Sequence, residues 1–505
     1  MLVSRHPGLL MVAVMGVSIC QFLDMTIANV ALPHMRTSLG ASMESISWVL
    51  TSFIIAGVLV LPLTGWLADR LGSRNLFIGA TAAFVLSSML CGTATSLTQM
   101  VVFRAIQGMA SAFIGPLSQT VMFDVNPPSK QAQAMSIWGM VVMIAPISGP
   151  FIGGFLTETL NWRWVFYVNL PIGIPALAIL WWLLPSRPIV RRQLDIFGAA
   201  FLGLALCALQ LMLDRGQHND WFEAQETVIE FLVAASAFWI FFVHTRTVAH
   251  PLFARSMVGD PTFLVGLAFM VVLGVVNVAL SSVLPTLYQT VYGYDVMDTG
   301  MLMAPRGVGV FLTMLITNRL MGRVDSRLLI SVGISIAALS LWTMTGWSLD
   351  MGSDQIVLSA FIQGLGLGFV FVPVNLLAFS HLAPRYRPDG TTLMTLFRSL
   401  GSSFGISVIV TMLARNIQTS HADIAASVTS FNLPSIDPAS SAAIFGGFGA
   451  SALALLDGEV NRQAAMVAYL DNFYMLFWFL ICLVPLVWVV KKPKLPGFES
   501  AHPAE

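Results

Sequence analysis

Two ionisable residues set deep in long apolar runs are the first candidates for chemistry in this sequence. They are Asp24, in LDMTIANVALP (Leu23 to Pro33), and Arg104, which opens RAIQGMASA (Arg104 to Ala112). An aspartate at the centre of a membrane helix costs about 2.5 to 3.5 kcal/mol on insertion scales, so its retention points to a task. A carboxyl group held away from water is suited to taking up a proton on one side and releasing it on the other. A structural carboxylate bonded to a neighbouring helix is the alternative for Asp24. Arg104, Gly108 and Ala112 share one helical face, so a cation stands beside small residues that allow close packing. A buried guanidinium there tunes a nearby carboxylate or competes with a cationic substrate for it. Snorkelling to the interface is the plainer reading.

Other polar residues within apolar runs extend the candidate set. Arg306, in APRGVG, and Arg398, in FRSLG, have no acidic neighbour in sequence and face either a cavity or a lipid headgroup. Gln21, Gln107, Met109, Asn277, Gln363 and Asn375 join them as candidate lining of a substrate cavity, although interhelical hydrogen bonding is the commoner fate of such amides. In GWLADRLGSRN, Gly65 and Gly72 permit a tight turn and close helix approach, while Asp69, Arg70 and Arg74 carry charges able to exchange partners. Asp124 reads either as a partner of Arg70 or as a surface charge at a helix end. The segment from Gly139 to Gly154, GMVVMIAPISGPFIGG, places Gly139, Gly149, Pro150, Gly153 and Gly154 where a helix would bend and hug its neighbour.

The elements that must position these residues are membrane helices. The chain is 56% hydrophobic and 10% charged, against about a quarter charged in soluble domains. Apolar runs of about 20 residues, enough to cross a bilayer, recur along its whole length. Such runs are far longer than barrel strands, which leaves helices as the spanning structure. We place the spans at about 9–32, 46–66, 76–93, 97–123, 134–158, 164–184, 196–213, 227–244, 262–284, 298–318, 328–347, 355–379, 391–414 and 471–490. Cys20, Cys91, Cys207 and Cys482 show no pairing or metal spacing and read as small core residues. The first run lacks a small-residue cleavage pattern and reads as a retained span.

Fourteen spans put both termini on one side, and most of the 25 Lys and Arg residues fall in the loops of that side. The bias predicts that this side is cytoplasmic. The chain also repeats itself. LADRLGSR, ending at Arg74, matches LMGRVDSR, ending at Arg327 and including Arg323; IQGMASAF (Ile106 to Phe113) returns as IQGLGLGF (Ile362 to Phe369). Two matches at nearly one offset indicate duplication, which predicts a six-helix bundle over 1–190, an inserted helix pair over 191–250 and a second bundle over 251–505. The polar stretch 416–470 is expected to form a long outer loop, either a docking surface or slack. Arg104 has no charged counterpart in the repeat, where Ala360 stands.

These motifs together resemble the fourteen-helix drug:proton antiporter branch of the major facilitator superfamily, the EmrB/QacA type. GWLADRLGSRN resembles that superfamily's cytoplasmic loop signature, and Gly65, Asp69, Arg70, Gly72 and Arg74 take its gate positions, with Arg323 and Arg327 as the repeat's copy. LDMTIANVALP resembles its first-helix signature, RAIQGMASA its proton-coupling motif and the Gly139 to Gly154 segment its exporter signature. WRWVFYVNLPIG (Trp162 to Gly173) and LMLDRGQHNDWF (Leu211 to Phe222) are similar to the EmrB branch. Ser73 and Asn75 stand where basic residues are common, which thins the gate's charge network.

The resemblance implies an all-α major facilitator fold with two extra central helices, and export of hydrophobic or amphipathic drugs in exchange for protons, without another cofactor. It implies a bacterial inner membrane and, in a Gram-negative cell, a periplasmic adaptor (a membrane fusion protein) and an outer-membrane channel as partners. A proton-coupled symporter or lipid transporter on the same fold is the alternative. A pump driven by nucleotide is disfavoured, since no lysine sits in a phosphate-binding loop. A membrane enzyme would need clustered His, Cys or Asp, yet the eight histidines are scattered, so neither catalytic nor metal residues are expected. A net charge of zero offers no field for nucleic acid.

Overall fold

The computed structural model describes residues 6–186, 189, 193–216, 220–321, 323–380, 382–427 and 450–489. Among them, fourteen helices are long and apolar enough to cross a membrane. We number these α1 (Pro7–Leu39), α2 (Trp48–Leu71), α3 (Ser73–Thr93), α4 (Leu97–Val125), α5 (Lys130–Thr159), α6 (Trp164–Leu183), α7 (Ile196–Arg215), α8 (Gln225–Thr247), α9 (Pro261–Thr290), α10 (Val296–Leu320), α11 (Ser326–Met344), α12 (Ser353–Phe379), α13 (Arg387–Ser427) and α14 (Ala454–Trp488). The order matches the fourteen apolar runs, because each run buries its own backbone hydrogen bonds wherever its neighbours lie.

Packing divides the helices into two groups and a pair. α1 packs on α5 and α6, and α4 on α2 and α3; in the second group α10 and α11 pack on α12, α9 on α13, and α14 on α11 and α13. α7 and α8 pair with each other, and α7 also rests on both α2 and α13, so the inserted pair lies along the seam between the groups. The C-terminal turns of α7 are pinned to both: Thr51 of α2 donates to Asp214, and Ser403 of α13 donates to Gln210 at 2.8 Å. The groups meet directly where α5 packs on α10 and where the C-terminal end of α2 meets α13.

Two sequence expectations are corrected. The stretch 416–470 is not one long loop: α13 continues to Ser427 and a helix resumes at Ala450, while 428–449 lie outside the described residues. With 41 residues, α13 is about 60 Å long at roughly 1.5 Å per residue, twice the bilayer's apolar core. It therefore projects beyond the membrane beside α14, tied to it by His421 and Asp457 at 2.9 Å. The cysteines are not all core residues either, for Cys482 is exposed and Cys207 half-buried.

Glycine matters most where backbones touch. A side chain on Gly108 would lie 2.1 Å from the Phe53 carbonyl oxygen, so α4 and α2 approach to backbone contact. Gly72, between α2 and α3, holds φ +84°, a conformation that L side chains rarely adopt.

Candidate functional site

Asp24 is completely buried, and three donors from two other helices converge on it. Arg104 Nη1 of α4 lies 2.6 Å from Oδ2, Gln107 Nε2 3.0 Å from Oδ1, and Asn169 Nδ2 of α6 3.1 Å from Oδ1. Arg104 spends its other hydrogens on Gln107 Oε1 at 2.8 Å and the Val49 carbonyl of α2 at 3.2 Å. The Phe53 ring covers the guanidinium, 4.2 Å from centroid to Cζ. Asn169 is itself positioned by Ser88 of α3, to which it donates at 3.0 Å. Five helices of the first bundle thus meet at one acid–base pair. A buried pair of charges is tolerable only when the remaining lone pairs and protons are also satisfied, and here Gln107 and Asn169 supply that.

The first-helix and fourth-helix motifs therefore form one site. Gln107 belongs to it and not to a substrate cavity, which corrects its expected place; its spacing one turn from Arg104 carried the signal. Asn169, Ser88 and Phe53 were not singled out in the sequence, because an amide, a hydroxyl and a ring in apolar runs look like ordinary interhelical packing. The repeat's counterpart, Ala360, is buried without charge, so the second bundle has no copy of the pair.

The loop residues place one seam between the bundles. On the face that carries the start of α1 and the end of α14, here the termini face, Gly65 lies against Asp389 of α13, with its virtual Cβ 3.3 Å from the Asp389 Cα. Asp124 is buried and meets Arg387 at 3.2 Å, Thr120 meets Thr391 at 3.0 Å, and the Phe123 and Phe379 rings pack tilted with centroids 4.9 Å apart. Gln119 donates to Asn375 across the same seam. The halves are closed here. Asp124 is thus neither a surface charge nor defined by Arg70: its ion pair crosses to Arg387, while Arg70 lies exposed over the Trp66 ring at 5.1 Å. Arg74 stays within the first bundle and donates to the Trp181 carbonyl. Asp69 is half-buried; in the repeat Arg323 is exposed, and Arg327 is buried behind the α11 cap made by Asp325. Arg387 and Asp389 were legible only as loop charges.

The Gly139 to Gly154 segment performs two packing tasks. Gly149 and Gly153 bring α5 against Thr26 and Ile27 of α1; Gly139 touches Phe371 and Met314, and Gly154 touches Val296, all in the second bundle. Pro150 has no N–H for the Pro146 carbonyl, and Thr26 Oγ1 donates to that oxygen at 3.1 Å instead.

On the opposite face a cleft of about 340 Å³ separates the bundles, lined by Asn29, Pro150, Gln289, Thr299 and Met303 among others. The expected cavity residues mostly lie elsewhere. Gln21 bonds the Ser111 carbonyl at 3.0 Å, Asn375 closes the seam, and Met109 is exposed on an apolar stripe with Val102 and Ile106. Gln363 is fully buried, and Asn277 accepts from Arg306 at 2.8 Å. Arg306 is 1% exposed and reaches no headgroup, and Arg398 stands over the Phe22 ring at 5.2 Å, facing the first bundle. Asp24 does not face the cleft either. Among the described residues, no group of three or more His, Cys, Asp and Glu could hold a metal ion.

Two helical bundles that close on one face, leave a cleft between them on the other and carry a sealed acid–base pair define a multi-pass membrane transporter. The chain belongs to the Major Facilitator Superfamily, whose family model matches residues 14–406. It is 33% identical to the multidrug export protein EmrB of Escherichia coli (strain K12), over 94% of this chain and 93% of that one. It is likewise 33% identical to the fatty acid resistance protein FarB of Neisseria gonorrhoeae, over 94% of each chain. Its fold resembles that of the human organic anion transporter MFSD10 (TETRAN), with a TM-score of 0.58 and 14% identity over 94% of this chain and 99% of that one.

Proposed function

We propose that this protein exports hydrophobic or amphipathic toxic compounds in exchange for protons by alternating access. The observation that carries the reading is the Asp24 and Arg104 pair, 0% and 1% exposed and joined at 2.6 Å. A proton on Asp24 cancels the carboxylate and leaves Arg104 with neutral partners, so proton uptake favours a rearrangement of α1 against α4. The closed termini face and the cleft opposite are the outward-facing half of that cycle. Gly65, Asp124, Arg387 and Asp389 act as the gate that must part for the other half, with Asp69, Arg70 and Arg74 beside it. The relatives named for multidrug export and fatty acid resistance support drugs and acidic amphiphiles as cargo.

The bundles are taken as 1–190 and 251–505, with the pair 191–250 between them. The lysine and arginine bias supports a cytoplasmic termini face in a bacterial inner membrane. In a Gram-negative cell the resemblance to EmrB supports a periplasmic adaptor and an outer-membrane channel as partners. The proton is the coupling ion, and no further cofactor takes part.

Proteoliposomes loaded with protein and challenged with drug provide the test. Wild type releases protons when drug is added, whereas Asp24→Asn, monodisperse and correctly inserted, gives no drug-dependent release. Coupling retained in well-folded Asp24→Asn would remove the role of Asp24.

A further inference from the structure

The two most deeply buried arginines are partnered differently. Arg104 has a carboxylate; Arg306, on α10, has none within ion-pair distance among the described residues. Its Nη atoms donate to Ser281 Oγ at 2.9 Å, Asn277 Oδ1 at 2.8 Å and the Asn277 carbonyl at 3.2 Å, and its Nε finds no acceptor among the described residues. Neutral acceptors solvate a guanidinium but leave its charge uncompensated, an expensive state away from water. Two further buried donors also lack partners among the described residues: the hydroxyls of Tyr288 on α9 and of Thr299, seven residues before Arg306 on α10.

These groups adjoin the cleft. Thr299, Met303 and Arg306 follow one another at i, i+4 and i+7 on one face of α10, and Thr299 and Met303 line the cleft wall. Arg306 is thus one turn beyond Met303 and about 15 Å along the helix from Val296, near mid-membrane. On α9, Asn277 and Ser281 present their acceptors to the same guanidinium, and Tyr288 precedes the cleft residue Gln289. The buried Leu302 and Met303 side chains stand between them on this face of α10, and the unbranched thioether of Met303 repacks readily.

We propose that Arg306, with the hydroxyls of Tyr288 and Thr299, is a carboxylate-binding subsite at the inner end of the cleft. Its ligand class is hydrophobic acids, whose carboxylate supplies the charge that no described residue provides. Transport of that ligand rests on the exporter reading above; binding does not.

The test is equilibrium binding to the purified full-length protein in nanodiscs, with naphthylbutyrate as probe and its neutral amide, naphthylbutyramide, and the cationic naphthylbutylamine as shape-matched controls. Wild type binds the carboxylate more tightly than the amide. Arg306→Gln weakens the carboxylate about tenfold or more and leaves amide and amine within about twofold, as expected for loss of one charge-assisted contact. Tyr288→Phe and Thr299→Val, which keep shape, each narrow the carboxylate preference by about threefold. No preference for the carboxylate in wild type, or an equal loss for all three compounds in Arg306→Gln, overturns the proposal. Should Arg306→Gln fail to fold, an undiminished preference in both shape-preserving variants overturns it as well. Carboxylate binding that depends on Arg306, together with no drug-driven proton release for any compound, sustains the subsite and sinks the exporter reading alone.

Discussion

Replacing Gly65 with alanine probes how the termini face is held shut. The added methyl would stand 1.7 Å from Asp389 Oδ1, 2.8 Å from its Cγ and 3.3 Å from its Cα. Asp389 is 3% exposed, so its carboxylate has little room to retreat, and the Cα is fixed by α13. Overpacking of this kind costs about 1 to 3 kcal/mol. The cost falls on the closed state alone, because the contact exists only while α2 and α13 touch. At about tenfold per 1.4 kcal/mol, the equilibrium moves roughly 5- to 150-fold toward separation. Spin labels on cysteines introduced at the exposed Asn75 and Arg385, in a background without native cysteines, read the gap directly. Gly65→Ala shifts the distance distribution outward. Asp389→Ala removes the two shortest contacts, so the double variant returns toward the distribution of Asp389→Ala alone. A Gly65→Ala distribution identical to wild type would refute the claim that the contact between Gly65 and Asp389 limits closure.

Arg104→Met strands a buried carboxylate and Asp24→Asn strands a buried guanidinium, each costing about 3 to 5 kcal/mol, whereas the double variant strands neither. Thermal midpoints in detergent should therefore show the double variant well above the sum of the single losses, and additive losses would contradict the pairing. Gly108→Ala drives a methyl to 2.1 Å from the Phe53 carbonyl oxygen and 2.9 Å from its Cα, backbone atoms that move only if α2 and α4 part. We expect a loss of about 3 kcal/mol or more and an aggregated elution profile; a monodisperse Gly108→Ala of unchanged midpoint would falsify the close approach.

Much of the candidate site was visible in residue types. Asp24 and Arg104 stood out because a charge in an apolar run is rare, and the glycines of the fifth helix because their spacing suits close packing. What could not be read was which groups meet. Asp24 and Arg104 are separated by 80 residues, and Asp124 and Arg387 by 263. Nothing local distinguished Arg104, paired with a carboxylate, from Arg306, whose partners among the described residues are neutral, since both begin as one cation in an apolar run. The extension of α13 to Ser427 was misjudged for a related reason. Hydropathy reports where lipid ends, and a helix that continues into water leaves no apolar trace.

Length and spacing of the apolar runs alone determined that the chain crosses a membrane as fourteen helices, since a backbone in lipid must satisfy its hydrogen bonds within each segment. The duplicated motifs likewise announced two halves. Only the tertiary structure decided that Asn169 completes the Asp24 site, that α13 supplies the opposite side of the closed seam, and that α7 and α8 lie along it. Those outcomes depend on contacts between distant segments, which are chosen by packing and by the need to pair buried polar groups, and no single stretch of chain encodes them.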